Sequence, residues 1–512
     1  MLLTEQEAAS RQVAREKLRY RNQFIMGPVH HEGLTGWKRY KVNEFLCLTA
    51  HPDLNVVQME RNGQSITLIG FILDPEHPHA DNEDIFDSIS QKIAHGSEPY
   101  ESTYDYGGRW ILIVGNNEQT ILFNDAAGLR QVFYTNDKVS DSLWCASQPG
   151  ILAEWFDLKV SEEAAEFIDS YEFRKNHEFR FPGYSTPFKE VQHLLPNHLL
   201  NLETRTCHRY WPDGPLEDLS PETAANAIGR TLCNLMRSAS TRFELALSLT
   251  AGLDSRIVMA ASKDVIGELS IMTVRQFDKP DDYMDVSLPA QLLSRLKLKH
   301  HVIKSSLIMD RDFLGIFFAN TALAHPVYAP DAHAIMKYYG HGRVAVTGSA
   351  SEIGRSSFKK QIQKSMDAEI TPRDLAKLQK MGPNPLVIES YAQWLSGLGN
   401  LYNVHPLDLF EWEQGHGNWL AMCQLEFDIA WQDIFTPYNC RNLLKTMLSV
   451  KDEYRESPDY SLHRMVISNL WPELLEVPIN PQPVQRKSLV DTIKSQIPYS
   501  IRQNLKQLLR RN

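Results

Sequence analysis

The stretch that most constrains this chain is FELALSLTAGLDSRIVM, residues 243–259. Residues 243–249 are a short run rich in apolar residues, the pattern of a buried strand, and Leu253 onward has the pattern of a helix. Between them lie Thr250, Ala251 and Gly252. A strand that stops at a small-residue turn and re-emerges as a helix leaves several amide N–H groups facing one point, and that point attracts phosphate. Ala251 and Gly252 let an anion approach the backbone, Thr250 and Ser255 offer hydroxyl donors, and Asp254 can hold a magnesium ion against phosphate oxygens. The lysine of a Walker P-loop is missing. An ordinary strand-to-helix turn is the competing reading of so short a signal.

The alternation that follows gives the junction a setting. A strand is expected at 268–275, a helix at 283–296, a strand at 300–304, a helical stretch around 309–323 and a strand at 344–348. Strands alternating with helices predict an α/β fold with a doubly wound parallel sheet, whose ligands sit beyond the strand C-termini. Residues 365–480 read as helical and aromatic-rich. Upstream, WPDGPLEDLSP (211–221) reads as a linker, and Ser220 followed by Pro221 predicts the start of a helix running to about Ser238. Before the linker, an N-terminal helix leads into short strands, FLCLTA, ITLIGFIL, GRWILIVGN, QTILFND and QVFYTN, with some helix such as 161–172. That is the pattern of an antiparallel sheet domain. The expected division is 1–210 and 220–512.

At 512 residues there is room for two to four domains, and 43% hydrophobic with 23% charged residues is the composition of a soluble globular protein. The net charge of −10 argues against nucleic acid as the main partner. MLLTEQEAASRQVAREK carries charges where a secretory apolar region would be, and no apolar run reaches membrane-spanning length, so a cytoplasmic location is expected. Cys47, Cys145, Cys207, Cys233, Cys423 and Cys440 are scattered without CxxC spacing, which argues for reduced core residues rather than a zinc site or disulfides. From Arg486 to Asn512 there are seven Lys or Arg against one acid, Asp491. This reads as a C-terminal helix packed on its own domain with a solvated basic face, or as a basic amphipathic helix touching a membrane, nucleic acid or a partner.

Residues 250–255, TAGLDS, resemble the SGGxDS pyrophosphate loop of the asparagine-synthetase-like ATP pyrophosphatases, with Thr250 and Ala251 in place of the usual Ser and first Gly. GGRWILIVGNNEQTILFNDAAGLRQVFYT is similar to a segment of the Ntn-hydrolase-like (type 2 glutamine amidotransferase) domain that precedes the synthetase domain in asparagine synthetases. That domain uses an N-terminal cysteine to release ammonia from glutamine. Here Leu2 follows Met1, and Cys47 lies mid-strand, so the resemblance implies the domain's fold without its glutaminase activity. VAVTGSASEIGRSSF resembles the family's sGxGxDExfgGY segment, with Gly348 at the first Gly and Glu352 at a metal-binding aspartate. Ser349 stands where asparagine synthetases have a glutamate base and β-lactam synthetases a tyrosine, and Ile353 replaces a second acid. FTPYNCRNLLKTMLSV and LWPELLEVPINPQPVQRKSLVD are similar to two later family segments, the second pointing to Lys487.

The resemblance implies a carbon–nitrogen ligase closer in kind to β-lactam synthetases and lasso-peptide cyclases than to true asparagine synthetases. ATP and Mg2+ would be its cofactors, and small-molecule or peptide carboxylates and amines its substrates, with a partner protein or peptide carrier compatible with it. The expected mechanism is adenylation of a carboxylate with release of pyrophosphate, then displacement of AMP by an amine. Thr250, Ala251, Gly252, Asp254 and Ser255 would hold the diphosphate, Asp254 and Glu352 the metal, Lys487 the α-phosphate charge, and Val274 and Gly348 would flank the nucleotide. Arg256 and Arg355 read equally as phosphate clamps or structural ion pairs. Asp285 and the pair His300 and His301 read as capping and surface residues. Two other readings stay open: a nucleotide-binding pseudoenzyme or scaffold, and an adenylating PP-loop enzyme that modifies nucleobases.

Overall fold

The structure is a computed structural model and describes residues 15–116, 119–362 and 369–481. Its second half is built on a five-stranded sheet in the spatial order His301–Lys304, Ser270–Arg275, Leu245–Ser248, Val344–Val346, Asp433–Phe435. Every neighbouring pair is parallel. Strand residues alternate between two cores, as the pleat requires: Leu245 and Leu247 face one, Ala246 the other. The helices Pro221–Arg242, Leu253–Ala261 and Ser461–Leu470 cover the first face, and Arg311–Asn320 and Ala329–Tyr339 the second. The first strand in the chain thus has the second on one side and the fourth on the other. Crossovers leave it in opposite directions, which opens a crevice at the strand C-termini.

The doubly wound expectation therefore holds, with one strand more than the sequence suggested. Asp433–Phe435 is only three residues long and lies inside a stretch read as helical, yet it forms the sheet edge. The linker is no free spacer either, since Trp211 is buried against Trp412. The expected helix 161–172 is two helices, Glu162–Asp169 and Tyr171–Asn176, meeting at the extended Ser170. Ser220 caps the helix after the linker, as expected, by accepting from Thr223 N–H.

The first half stacks two six-stranded antiparallel sheets. Phe24, Met26 and Leu48 from one sheet meet Ile69, Ile111 and Leu122 from the other in a common core. The outer faces are covered by the helices Asn82–Ala94 and Pro149–Phe156, giving four layers, helix, sheet, sheet, helix. GRWILIVGN and QTILFND pair as one hairpin with Gly115 opposite Thr120. Behind it, the buried Asp125 accepts from the N–H groups of Trp110, Leu129 and Arg130 and so fixes the DAAGLR turn. Gly128 in that turn has φ +66°, and a Cβ there would press on Pro196 at 3.0 Å.

The two halves are joined by buried charge. Arg109 makes a two-pronged pair with Asp428 (2.5 and 3.0 Å) and reaches Asp433 at 3.1 Å, and Arg130 reaches Asp433 at 2.6 Å. Asn439 accepts from Ala127 N–H and donates to Gly108 O. The antiparallel domain is thereby fastened to the edge strand of the parallel sheet. Cys47 opens an internal strand, Cys47–Ala50, and all six cysteines are free thiols. Among the described residues, no helix is long and apolar enough to cross a membrane.

Candidate functional site

The helix Leu253–Ala261 starts as its sequence predicts, with Gly252 in the N-cap position and no side-chain cap. The turn before it is held by its own hydroxyls. Thr250 N–H donates to Ser255 Oγ, the two hydroxyls lie 3.1 Å apart, and Gly252 N–H donates to Thr250 Oγ1. Ala251 N–H donates to Asp285 Oδ1 at 3.0 Å. Asp285 is thus no simple helix-start acid: a carboxylate of the chain takes one amide that the sequence reading assigned to phosphate. The backbone of Asn480 closes the turn from outside by donating to Ala251 O. Lys487 follows seven positions later and, with the basic stretch Arg486 to Asn512, lies outside the described residues.

Gly348, two residues beyond the fourth strand, packs against this helix. A Cβ there would meet Asp254 C and Ser255 N at 2.5 Å, so only glycine permits the approach. The close packing brings the turn after Gly348 onto Asp254. Its Oδ1 accepts from Ser351 Oγ and from Arg355, whose guanidinium also lies 4.8 Å over the Tyr460 ring. Glu352, one residue beyond Ser351, bonds His416 Nε2 through Oε2 at 3.3 Å. Burial, and then Glu352, raise the Asp254 carboxyl above its ordinary value despite Arg355. Burial opposes the charge of Glu352 too, but His416 and Arg355 outweigh it and hold Glu352 at about 2. The His416 imidazole is raised in turn: burial works against its charge, and Glu352 and Glu411 overcome it.

Sequence reasoning missed His416, Glu411 and Tyr438. His416 and Glu411 are brought inward by a π-helical segment, Glu411–Leu420, a geometry that accumulates at functional positions and leaves no periodic signal. Tyr438, in the FTPYNCR segment, is fully buried beside Asp254, Arg355 and Glu352, and its hydroxyl has no partner among the described residues. Of the two arginines left open, Arg256 is structural: its guanidinium donates to the carbonyls of Leu474, Val477 and Pro478. Arg355 belongs to the site. His300 Nε2 meets Thr273 Oγ1 at 2.8 Å and His301 Nδ1 meets Tyr338 Oη at 2.6 Å, both away from the Asp254 cluster.

Asp254 and Glu352, 98 positions apart, therefore share one cluster. For magnesium this pair is a sufficient protein contribution, because the ion usually takes one or two carboxylates and completes its shell with phosphate oxygens and water. Asp254 and Glu352 are the residues that would hold it, once Arg355 and Ser351 share Asp254 Oδ1 with it. Among the described residues no group of three His, Cys, Asp or Glu could hold a metal ion without such help. Arg355 supplies positive charge to both carboxylates.

Beside the cluster, a cavity of about 300 Å³ opens at the strand ends, lined by Ser248, Val274, Thr347 and Ser349 from the sheet. Its other walls are mostly apolar, with Ile335, Trp419, Phe427 and Trp431. Val274 and the residues flanking Gly348 thus lie where a ligand of the crevice would touch them.

No protein-family model matches the sequence, and no curated protein does. Among solved structures, a glutamine phosphoribosylpyrophosphate amidotransferase from B. subtilis complexed with ADP and GMP aligns over 58% of this chain and 63% of its own, at 10% identity and a TM-score of 0.22. A structure described as the allosteric regulatory enzyme of purine biosynthesis aligns over 64% of this chain and 83% of its own, at 10% identity and a TM-score of 0.24. The chain spans less than two thirds of the first of these. Scores this low leave the fold to be read from the chain's own topology.

Proposed function

We propose that the chain is an ATP-dependent carbon–nitrogen ligase of the asparagine-synthetase-like kind, with a PP-loop synthetase domain behind an Ntn-hydrolase-like domain that has lost its glutaminase nucleophile. One observation carries the reading. Residues from two distant segments, Asp254 after the first strand and Glu352 after the fourth, meet at the crevice of a doubly wound sheet beside a small-residue turn and a ligand-sized cavity. The four-layer antiparallel domain and the contact of Asn439 with both Gly108 and Ala127 agree with the order of the matched segments.

On this reading a substrate carboxylate attacks the α-phosphate of ATP, pyrophosphate leaves, and an amine then displaces AMP. Magnesium, when bound, would neutralise the diphosphate. Asp254 and Glu352 would hold it, Arg355 would offer its charge to phosphate oxygens, and the helix N-terminus at Leu253 would favour the negative charge of the leaving group. Lys487, outside the described residues, would neutralise charge on the α-phosphate. The fastened antiparallel domain and the helices after residue 369 act as walls that keep water from the adenylate.

A second reading has its own observation. Thr250, Ala251 and Gly252 all donate to the chain itself, which suits a scaffold that no longer takes nucleotide. Calorimetric titration of the full chain with ATP and magnesium separates the two. The ligase reading expects saturable binding, lost in Asp254→Ala; absent binding to the wild type favours the scaffold.

A further inference from the structure

The cavity beside the cluster carries one ionisable acid whose partners do not account for it. Asp331 lies in the first turn of the helix Ala329–Tyr339 and lines the cavity with Ile335 of the same helix. Its residue is 6% exposed, and among the described residues its buried Oδ1 has no hydrogen-bond partner. Its hydrogen-bonding neighbours are neutral: Oδ2 has a long contact, 3.5 Å, from Gln276 Nε2, and the Ser305 side chain lies beside the carboxyl. Among the described residues, no Lys, Arg or His lines the cavity. Two further orphans sit on the same walls: Gln424 Oε1, on a residue whose amide N–H₂ is used by Thr436, and Trp419 Nε1. Leaving a buried carboxylate oxygen unmatched costs more than leaving most other groups so, and a ligand that donates to it recovers that cost.

From this juxtaposition we infer that the cavity selects an amine: a substrate with an apolar, preferably aromatic, body whose ammonium is held by Asp331. The chemistry is directional. A carboxylate in the same place would face Asp331 and Gln424 Oε1 with no cation to offset it, whereas an ammonium supplies the donors both lack. Trp419, Phe427 and Trp431 provide flat apolar surface, and 300 Å³ admits a one-ring amine with a short chain. Burial raises the Asp331 carboxyl above its ordinary value and outweighs the opposing hydrogen bonds of Ser305 and Gln276. Resting on the ligase reading, the assignment makes Asp331 the residue that selects and orients the amine: the bound ammonium passes one proton to the Asp331 carboxylate, and its freed lone pair then attacks the adenylate carbonyl as AMP leaves. Ser349, which has no base chemistry, lines the same cavity.

The test uses phenethylamine as probe, with 2-phenylethanol and 3-phenylpropionate as neutral and anionic counterparts, titrated into the full chain and followed by tryptophan fluorescence. Phenethylamine is expected to bind in the millimolar range, about tenfold more tightly than the alcohol, and the acid not to bind. Asp331→Asn, with unchanged circular dichroism, is expected to reduce the amine to the level of the alcohol while leaving the alcohol where it was. Equal binding of acid and amine overturns the assignment, as does an Asp331→Asn variant that binds the amine undiminished. Competitive displacement of phenethylamine by ATP also overturns it, since the cavity would then be the site of the nucleotide base. Failure of ATP to bind at all would sink the ligase reading while the amine selectivity stood, so the two failures are distinguishable.

Discussion

Arg355→Met tests the charge balance on which the site is built. Arg355 is 14% exposed and Asp254 22% exposed, and the guanidinium also neutralises Glu352 and stacks on Tyr460. Methionine keeps most of the volume and the contact with the ring but removes the charge. It leaves two carboxylates with His416 as their one remaining named cation. Losing one partner of a buried pair costs about 3–5 kcal/mol, and the partial exposure of both groups places this case near 3 kcal/mol. The assay is urea unfolding by tryptophan fluorescence in metal-free buffer at several pH values. Without Arg355 the Asp254 carboxyl rises further, so its protonation favours the folded state, and the variant should recover stability as pH falls through the raised value. Magnesium should restore part of the loss in the variant and leave the unliganded wild type unchanged. A loss below about 1 kcal/mol with no recovery at low pH would refute the reasoning, because Arg355 would then be a solvated side chain rather than the counter-ion of the site.

Three further outcomes follow from the same geometry. Gly348→Ala drives a methyl group into the backbone at Asp254 and Ser255, and should cost about 1–3 kcal/mol in unfolding free energy together with nucleotide binding measured by calorimetry. Asp285→Ala frees the Ala251 amide from its internal carboxylate, so affinity for pyrophosphate should rise severalfold; a fall would show that Asp285 organises the turn rather than competing for it. Burial raises Glu411 to about 7 from an ordinary 4.5, with His416 acting the other way, so the native state holds this proton after the unfolded chain has released it. The stability this adds is full below pH 4.5 and lost as pH rises to 7, about 3 kcal/mol across the window, and Glu411→Gln should flatten that slope in pH-dependent unfolding.

The parts of this architecture legible in the sequence are those written in local patterns. The Phe243 to Met259 junction shows itself through an apolar run, small residues and a helix, and the strand-helix alternation after it foretells the parallel sheet. Asp433–Phe435 was hidden because three residues carry no period and its neighbours are helical. Asp285 and Asp331 look like ordinary first-turn acids, since their roles depend on Ala251 and on Trp419, which reach them only through the fold. His416 and Glu411 lie on a π-helical segment that turns side chains inward off the α-helical stripe. The joining of the halves through Arg109 and Asp428 spans 319 positions and could not be read from either segment alone.

The most direct test of the account is the identity of the phosphorus products. Full-length chain incubated with ATP, magnesium, a pool of aryl and alkyl carboxylic acids and hydroxylamine as a small amine, then followed by 31P NMR, is expected to yield AMP and pyrophosphate in equal amounts, together with hydroxamate. Appearance of ADP and phosphate in their place would contradict it, for the turn at Thr250 to Gly252 would then not be holding a departing diphosphate.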